Sequence, residues 1–338
     1  MPTVSFICSF YNRPGLVRRT LVGMARQTYR DAEFVILDDG STDETPDNIE
    51  QTIEQLGDPR FRFVRLERNS GLTKVLVEAV SKTDSRYFAI HDAGDYSSPA
   101  RLARQVAAIE ADPDVVVVGS HYINYVEDVG LSRLREPCAD RATFADILID
   151  PTFTHGEVLV DRAAYTKAGG YRASFRYAQD NDLWLRMIHH GRFHTVPAPL
   201  YVRCIQFSGI SYGSTSFPRQ SAFYVLGKHL ARRDIDESVL RDLDGGMSIF
   251  DILSKSDPEV QRVIVRGALR ALAFGSPDSA LATARESINS PLLRCAVSAT
   301  AGFFATPIGR KLLRSYWRFS GLTDVHPLVA EMNAIPSF

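Results

Sequence analysis

Cysteine is scarce in this 338-residue chain: Cys8, Cys138, Cys204 and Cys295 are scattered, with no CxxC pair among them. That spacing frames neither a zinc site nor a disulfide scaffold, so free thiols in a reducing cytoplasm are expected. No uninterrupted apolar run reaches the roughly 18 residues of a membrane-spanning helix, and no secretory signal precedes the first strand. An excess of one charge is also missing, since 39 Lys and Arg face 40 Asp and Glu. Without a basic arm, nucleic acid is not an expected partner. The first predicted strand is followed by no GxGxxG and the chain holds no GxxxxGK[ST] loop. A nicotinamide or flavin dehydrogenase and a P-loop NTPase are thereby set aside.

What is present is an ordinary globular composition, 45% apolar and 23% charged, long enough for a large domain with an extension or for two domains. From Thr3 to Ser120 short apolar runs alternate with amphipathic helical patterns, the signature of βαβ units and a mostly parallel sheet. The pattern predicts strands at 4–10, 34–37, 61–66, 87–90 and 115–118. Helices are predicted between them at 14–26, 45–56, 72–80 and 99–111. From about Phe217 the pattern is helical, with helices expected at 221–232, 258–274, 278–289 and 291–319. The expected division is a catalytic α/β domain over 1–215 and a helical carboxyl-terminal region over 216–338.

Several polar groups fall where the predicted strands end. The run from Tyr87 to Ile90 stops at Asp92 and Asp95, and Pro99 then opens a helix. In an open parallel sheet that edge binds ligands, and paired carboxylates there suit a divalent cation that also grips phosphates. Capping of the next helix by Asp95 and Ser98 is the plainer alternative. Tyr11, after the first strand, is placed either to stack on a base or to pack under the next loop. Ser41 and Glu44 read as a capping box, whereas Asp38 and Asp39 sit at a strand end before Gly40, where a carboxylate can accept the ring N–H of a pyrimidine. Asn69 and Gly71 read as a turn. Lys74 in the following first helical turn opposes the helix dipole, so it either faces a diphosphate or is simply solvated.

Together, Phe6 to Arg13, Asp38 to Asp43, Asn69 to Thr73 and Asp92 to Leu102 resemble the inverting family 2 glycosyltransferases of GT-A fold, over roughly residues 3–215. The resemblance implies donor binding by Ser9, Tyr11, Arg13, Asp39, Asn69, Lys74 and Asp92, with Tyr11 and Asp39 at the nucleobase. It implies a Mg²⁺ or Mn²⁺ ion held by Asp92 and Asp95, although Gly94 stands where the family has its middle aspartate. In Tyr177 to Arg186, Asp180 matches the general base and Gln179 replaces the preceding glutamate. From the residues alone, Asp180 and Asp182 are equally well explained as acids at a helix amino terminus, which attracts negative charge. His155 and Gln179 fall on the acceptor side, with a structural loop histidine as the alternative for His155. Ser208 to Ser211 is expected to lie over the donor.

The function implied is transfer of one sugar from a nucleoside diphosphate sugar, with UDP expected, to a glycan or lipid-linked acceptor. The Gln-x-x-Arg-Trp motif and membrane helices of processive members are missing, which favours single transfer. A sugar-nucleotide binding protein without activity and a nucleotidyltransferase are the other classes. Over residues 291–320 an apolar stretch meets Arg310, Lys311, Arg314 and Arg318 beside Trp317, a composition suited to a membrane surface, to packing on the catalytic domain or to a homo-oligomer contact.

Overall fold

The computed structural model describes residues 1–150, 152–206, 216–320, 322 and 325–336. The expected donor loop Ser208 to Ser211 lies outside the described residues. Two compact units make up the chain: Met1–Asn124 with Leu134–Cys204 and His326–Phe338 form the first, Tyr125–Arg133 with Ile205–Val325 the second.

The first unit is built on four parallel strands, β1 (Val4–Phe10), β2 (Ala32–Asp38), β3 (Phe61–Arg65) and β4 (Tyr87–Asp92), with β1 between β2 and β4. The crossovers are α1 (Val17–Ala25), entered through a 3-10 turn at Pro14–Leu16, α2 (Thr45–Leu56) and α3 (Leu72–Ser81). A further helix, α4 (Arg101–Ala111), follows β4. Phe6, Cys8 and Phe10 of β1 pack in one cluster with Val17, Leu21 and Met24 of α1, Ile49 of α2, and Val106 and Ile109 of α4. Each large apolar side chain so buried contributes about 1.5–3 kcal/mol.

Beyond β4 the sheet turns antiparallel. The remaining strands are β5 (Tyr96–Ser97), β6 (Val115–Val126), β7 (Leu131–Arg135), β8 (Leu159–Asp161) and β9 (Arg192–Ile205), in the order β3-β2-β1-β4-β8-β6-β9-β5 with β7 on β6. β8 runs antiparallel to both β4 and β6, and β5 antiparallel to β9. The sheet is therefore mixed, its parallel half lying where the sequence pattern is regular. β5 and β8 are too short to show alternation, and Pro197 and Pro199 interrupt β9. Short helices α5 (Phe144–Ile149), α6 (Arg162–Lys167) and α7 (Gln179–Met187) complete this part.

The second unit contains α8 (Phe217–Arg232), α9 (Val239–Asp244), α10 (Ile249–Ile252), α11 (Pro258–Ala273), α12 (Pro277–Ser287), α13 (Pro291–Ala305) and α14 (Pro307–Phe319). The last helix, α15 (Pro327–Asn333), belongs to the first unit, where Glu331 Oε1 accepts the Tyr96 hydroxyl at 2.7 Å.

Two local expectations are corrected. Ser41 and Glu44 form no capping box: Glu44 is the N-cap without a side-chain bond, and Ser41 Oγ instead accepts the amide of Asn12 at 2.9 Å. The segment 291–319 is not one helix, because Pro307 forces Thr306 into an extended conformation and the two halves bend by 88°. Thr306 then caps α14, its Oγ1 accepting the amide of Gly309 at 3.1 Å.

Two buried ionisable groups join β4 to the antiparallel half. Arg101, at the start of α4, is fully buried; its guanidinium donates to Gln105 Oε1 (3.1 Å), Ser97 Oγ (2.9 Å) and the carbonyls of Ile90 (2.9 Å) and Val158 (3.2 Å). Burial lowers its pKa to about 10, opposed by Tyr201, Glu157, Asp92 and Asp95, so it stays charged at neutral pH. Glu157, equally buried, accepts the amides of Thr154 and Ser120 and the Ser120 hydroxyl, each at 3.2 Å. Burial pushes its carboxyl up to about 8 against those bonds and the nearby Arg101.

Arg101→Met takes the guanidinium donor from the Ile90 carbonyl and removes the cation beneath three acids, so it is expected to destabilise the fold by about 3–5 kcal/mol in urea unfolding; a loss under about 1 kcal/mol would contradict this role. Glu157 makes a pH prediction. The folded chain keeps its proton up to about pH 8 and the unfolded chain releases it near 4.5, so the unfolded state binds fewer protons and stability falls as pH rises between these values. Glu157→Gln should flatten that slope by up to about 1.4 kcal/mol per pH unit, and an unchanged slope would show that the carboxyl is ionised when folded.

Candidate active site

Three loops at the carboxyl ends of β1, β2 and β3 are tied into one rim. After β1, Asn12 adopts a left-handed conformation (φ 49°) and its Oδ1 accepts the amide of Thr42 at 2.9 Å, while the Arg13 amide donates to Thr45 Oγ1 at 2.8 Å. After β2, Asp39 carries the third loop: Oδ1 accepts the Ser70 amide (2.8 Å) and hydroxyl (3.1 Å), and Oδ2 accepts the Gly71 amide (3.0 Å). Gly40 permits this approach, since a Cβ there would fall 2.4 Å from the carbonyl carbon of Arg68. Asp39 is thus first a tie between loops, with one lone pair on Oδ2 left for a ligand. Asp38 is fully buried; its Oδ2 accepts the Ser41 amide at 3.0 Å and its Oδ1 has no partner among the described residues.

The other donor-side candidates sit around that rim. Tyr11 is 44% exposed, so its ring is free to stack rather than packed under a loop. Ser9 is half-buried in β1, in register with Asp92 of β4. Asn69 is exposed in the loop that Asp39 holds, and Lys74 is exposed on the first turn of α3.

The acids after β4 separate into two environments. Asp92 has a 41% exposed side chain, its Oδ1 4.0 Å from His155 Nδ1. Asp95, expected as a cation ligand, is buried with both oxygens occupied: Oδ2 accepts the Tyr201 hydroxyl at 2.6 Å and Oδ1 the Cys204 amide at 2.8 Å. Burial, with the nearby Asp92 adding to it, raises the Asp95 pKa. The structure therefore places Asp95 beneath the site as an anchor for Tyr201 and Cys204, not as a direct ligand. Gly94 between them has φ +97°, its amide donating to Thr20 Oγ1 at 2.8 Å, and a Cβ there would meet Leu16 Cδ1 at 2.8 Å. An aspartate at this position would be strained in the turn.

His155 lies beside Asp92. It is buried, its Nε2 2.8 Å from the Tyr171 hydroxyl, which leaves Nδ1 directed toward Asp92. Gly156 allows the contact, because a Cβ there would fall 2.0 Å from the Tyr201 hydroxyl and 2.9 Å from Asp92 Oδ2. No cluster of three or more cation-binding side chains occurs among the described residues. Asp92 with His155 Nδ1 does not make a protein cage; the pair suits Mn²⁺, and Asp92 alone suits Mg²⁺, with the other ligands coming from phosphates and water.

Asp180 lies half-buried in the first turn of α7, after Ala178, whose φ of 54° places a non-glycine residue in the left-handed region. Backbone strain of this kind costs about 1–3 kcal/mol and persists where surroundings enforce it. Asp180 and Asp92 both lie close enough to Tyr171 to raise the pKa of its phenol, burial being the larger cause. Gln179 beside it is buried. Asp182 is a different case, since Arg186 Nη2 at 2.6 Å and Arg172 Nη1 at 3.2 Å neutralise it in the interior. It is a structural acid.

Tyr171, Tyr201, Gly156 and Arg101 hold this constellation and were not singled out by sequence. Gly169-Gly-Tyr171 and Pro99-Ala-Arg-Leu102 carried visible signals for two of them. Tyr201 had none, being 109 residues from the Asp92 amide that its hydroxyl meets at 3.2 Å.

Residues 5–185 match the family model for glycosyl transferase family 2. Over 227 residues the chain is 29% identical to the putative glycosyltransferase EpsE of Bacillus subtilis (strain 168), covering 66% of this chain and 78% of that one. It is 27% identical over 190 residues to the amylovoran biosynthesis glycosyltransferase AmsE of Erwinia amylovora, covering 55% and 70%. Among solved structures it is similar to the mannosyltransferase PcManGT from Pyrobaculum calidifontis in complex with GDP-Man and Mn²⁺, with TM-score 0.56, 18% identity, and coverage of 96% of this chain and 87% of that one. S. aureus TarS 1-349 in complex with UDP gives TM-score 0.54 and 16% identity, covering 94% and 92%. At those identities the structural likeness speaks for the fold alone, whereas the family model spans more than half of the sequence. The chain belongs to glycosyl transferase family 2 and is a glycosyltransferase with the GT-A fold.

Proposed function

We propose that this glycosyltransferase moves a single sugar, with inversion, from a uridine diphosphate sugar to a hydroxyl of a glycan or lipid-linked acceptor during polysaccharide assembly. What supports this reading is the half-buried position of Asp180 in the first turn of α7, where the family resemblance has its general base, while Asp182 is tied up by two arginines. Asp180 would take the proton of the acceptor hydroxyl. The acceptor oxygen then bonds to the anomeric carbon as the bond from that carbon to the diphosphate breaks, and the electron pair leaves with the diphosphate.

Asp92 and His155 are the residues that would hold a divalent cation, whose chemistry there is to offset the charge developing on the diphosphate. Lys74, exposed at the start of α3, would add a second positive charge on the donor side. Tyr11 offers a ring for the base, and the remaining lone pair of Asp39 suits a ring N–H, which uracil presents and adenine lacks on the corresponding edge. A polysaccharide role is supported by the similarity to the amylovoran biosynthesis glycosyltransferase AmsE and to the succinoglycan biosynthesis protein ExoO of Rhizobium meliloti.

Calorimetry should show UDP binding at least about tenfold, or about 1.4 kcal/mol, tighter than ADP; equal affinities would contradict the assignment of Tyr11 and Asp39. For the base, Asp180→Asn keeps size and shape but removes the basic oxygen. Donor binding should stay within about threefold of wild type while turnover falls by roughly 10²- to 10⁴-fold. Turnover near wild type would refute the role of Asp180. Donor binding by the wild-type protein with neither transfer nor hydrolysis would identify a sugar-nucleotide binding protein instead.

A further inference from the structure

The second unit ends in two helices whose outer faces are apolar and uncovered. In α13 the only charged residue is Arg294, and only Val297 and Ala301 are buried. Leu292 (84% exposed), Ala296, Ala299 and Phe303 recur at helical spacing along its outer face.

Three faces can be distinguished on α14. Gly309, Leu313 and Trp317 point inward, where Leu313 and Trp317 join Ala271, Leu272 and Phe274 in the core of this unit and Trp317 Nε1 donates to the Ala273 carbonyl at 3.0 Å. Next to that face Ile308, Leu312, Tyr316 and Phe319 follow one another at intervals of four, four and three and stay exposed, Phe319 at 92%. Arg310, Lys311, Arg314 and Arg318 occupy the rest of the circumference, all exposed and without an ion pair among the described residues. The bend between the helices is fixed by close packing, since a Cβ on Gly309 would fall 2.2 Å from the Phe303 carbonyl oxygen. No single helix among the described residues is long and apolar enough to cross a membrane.

We propose that α13 and α14 dock this protein on an anionic phospholipid surface. Ile308, Leu312, Tyr316 and Phe319 enter the boundary between headgroups and acyl chains, and the four cations lie against lipid phosphates. Charge decides among possible occupants. A symmetric contact with a second copy would bring two such basic faces together, and an apolar protein partner would leave the cations unused. Helices bent by 88° with polar flanks suit a surface better than a span.

The test is co-sedimentation of the full chain with vesicles of phosphatidylcholine alone and of phosphatidylcholine containing about one third phosphatidylglycerol. Binding is expected to the anionic vesicles only, and to fall as salt rises from about 50 mM to about 500 mM, because the Debye length shortens several-fold. Changing Arg310, Lys311, Arg314 and Arg318 to Gln should lower vesicle affinity about fivefold per charge removed. Ile308→Ser with Phe319→Ser should abolish binding with every cation in place. Both variants alter exposed side chains, so unchanged circular dichroism and thermal unfolding are expected and guard against misfolding. Equal binding to neutral vesicles, or none at low salt, would overturn the proposal. So would a dimer in sedimentation velocity that the Ser variant dissolves while wild-type protein ignores the vesicles.

Discussion

A buried guanidinium is tolerable only where its donors are met and opposite charge is near, and around Arg101 four hydrogen bonds and the neighbouring Asp92 serve those ends. Its hydrogen bonds reach the carbonyl of Ile90, two residues before Asp92, and the carbonyl of Val158, two residues after Gly156. The last parallel strand and the His155–Glu157 turn are thereby held by one side chain. Its ring contacts, at 5.2 Å to Phe6 and 5.0 Å to Tyr201, extend the same hold to β1 and β9. The acids above it keep their places because the cation below does.

From that fixed base the acids sort by environment. Asp95 and Glu157 lie in the interior with their oxygens committed to protein donors, and burial raises both pKa values. Asp92 is exposed beside His155, whose Nε2 meets the Tyr171 hydroxyl, and Asp180 is half-buried at the start of α7. Two glycines permit the arrangement: Gly94 turns the chain where a carboxylate would otherwise project, and Gly156 lets the Tyr201 hydroxyl and Asp92 approach the histidine turn. A site with one open carboxylate and one imidazole is economical in protein ligands, which agrees with a cation bound chiefly through the donor's phosphates.

Much of this was legible in the sequence where local periodicity and local chemistry coincide. β1 was read at its observed bounds, as was α2, because long apolar runs and a helical pattern bounded by turn residues leave few alternatives. In the antiparallel half only the apolar start of β6, residues 115–118, shows in the pattern; β5, β7 and β8 are short and β9 carries proline. The segment 291–319 was read as continuous, although the proline rule applied to Thr306-Pro307 marks the break. Within the candidate site, motif positions point to Asp92, Asp180 and His155. What local sequence could not show was partnership across the fold: Asp95 satisfied by Tyr201 and Cys204, Asp39 by Ser70 and Gly71, Asp182 by Arg172 and Arg186. Those pairings separate the acids that hold the structure from those free to act.

The central claim is direct displacement assisted by one base, and the configuration of the first product reports on it without knowledge of the natural acceptor. Proton NMR of donor hydrolysis, recorded before the released sugar equilibrates, would identify the anomer that forms first. The account predicts the anomer opposite to that of the donor, since water takes the place of the acceptor hydroxyl in a single in-line step. Release of the sugar with the donor's own anomeric configuration would contradict it.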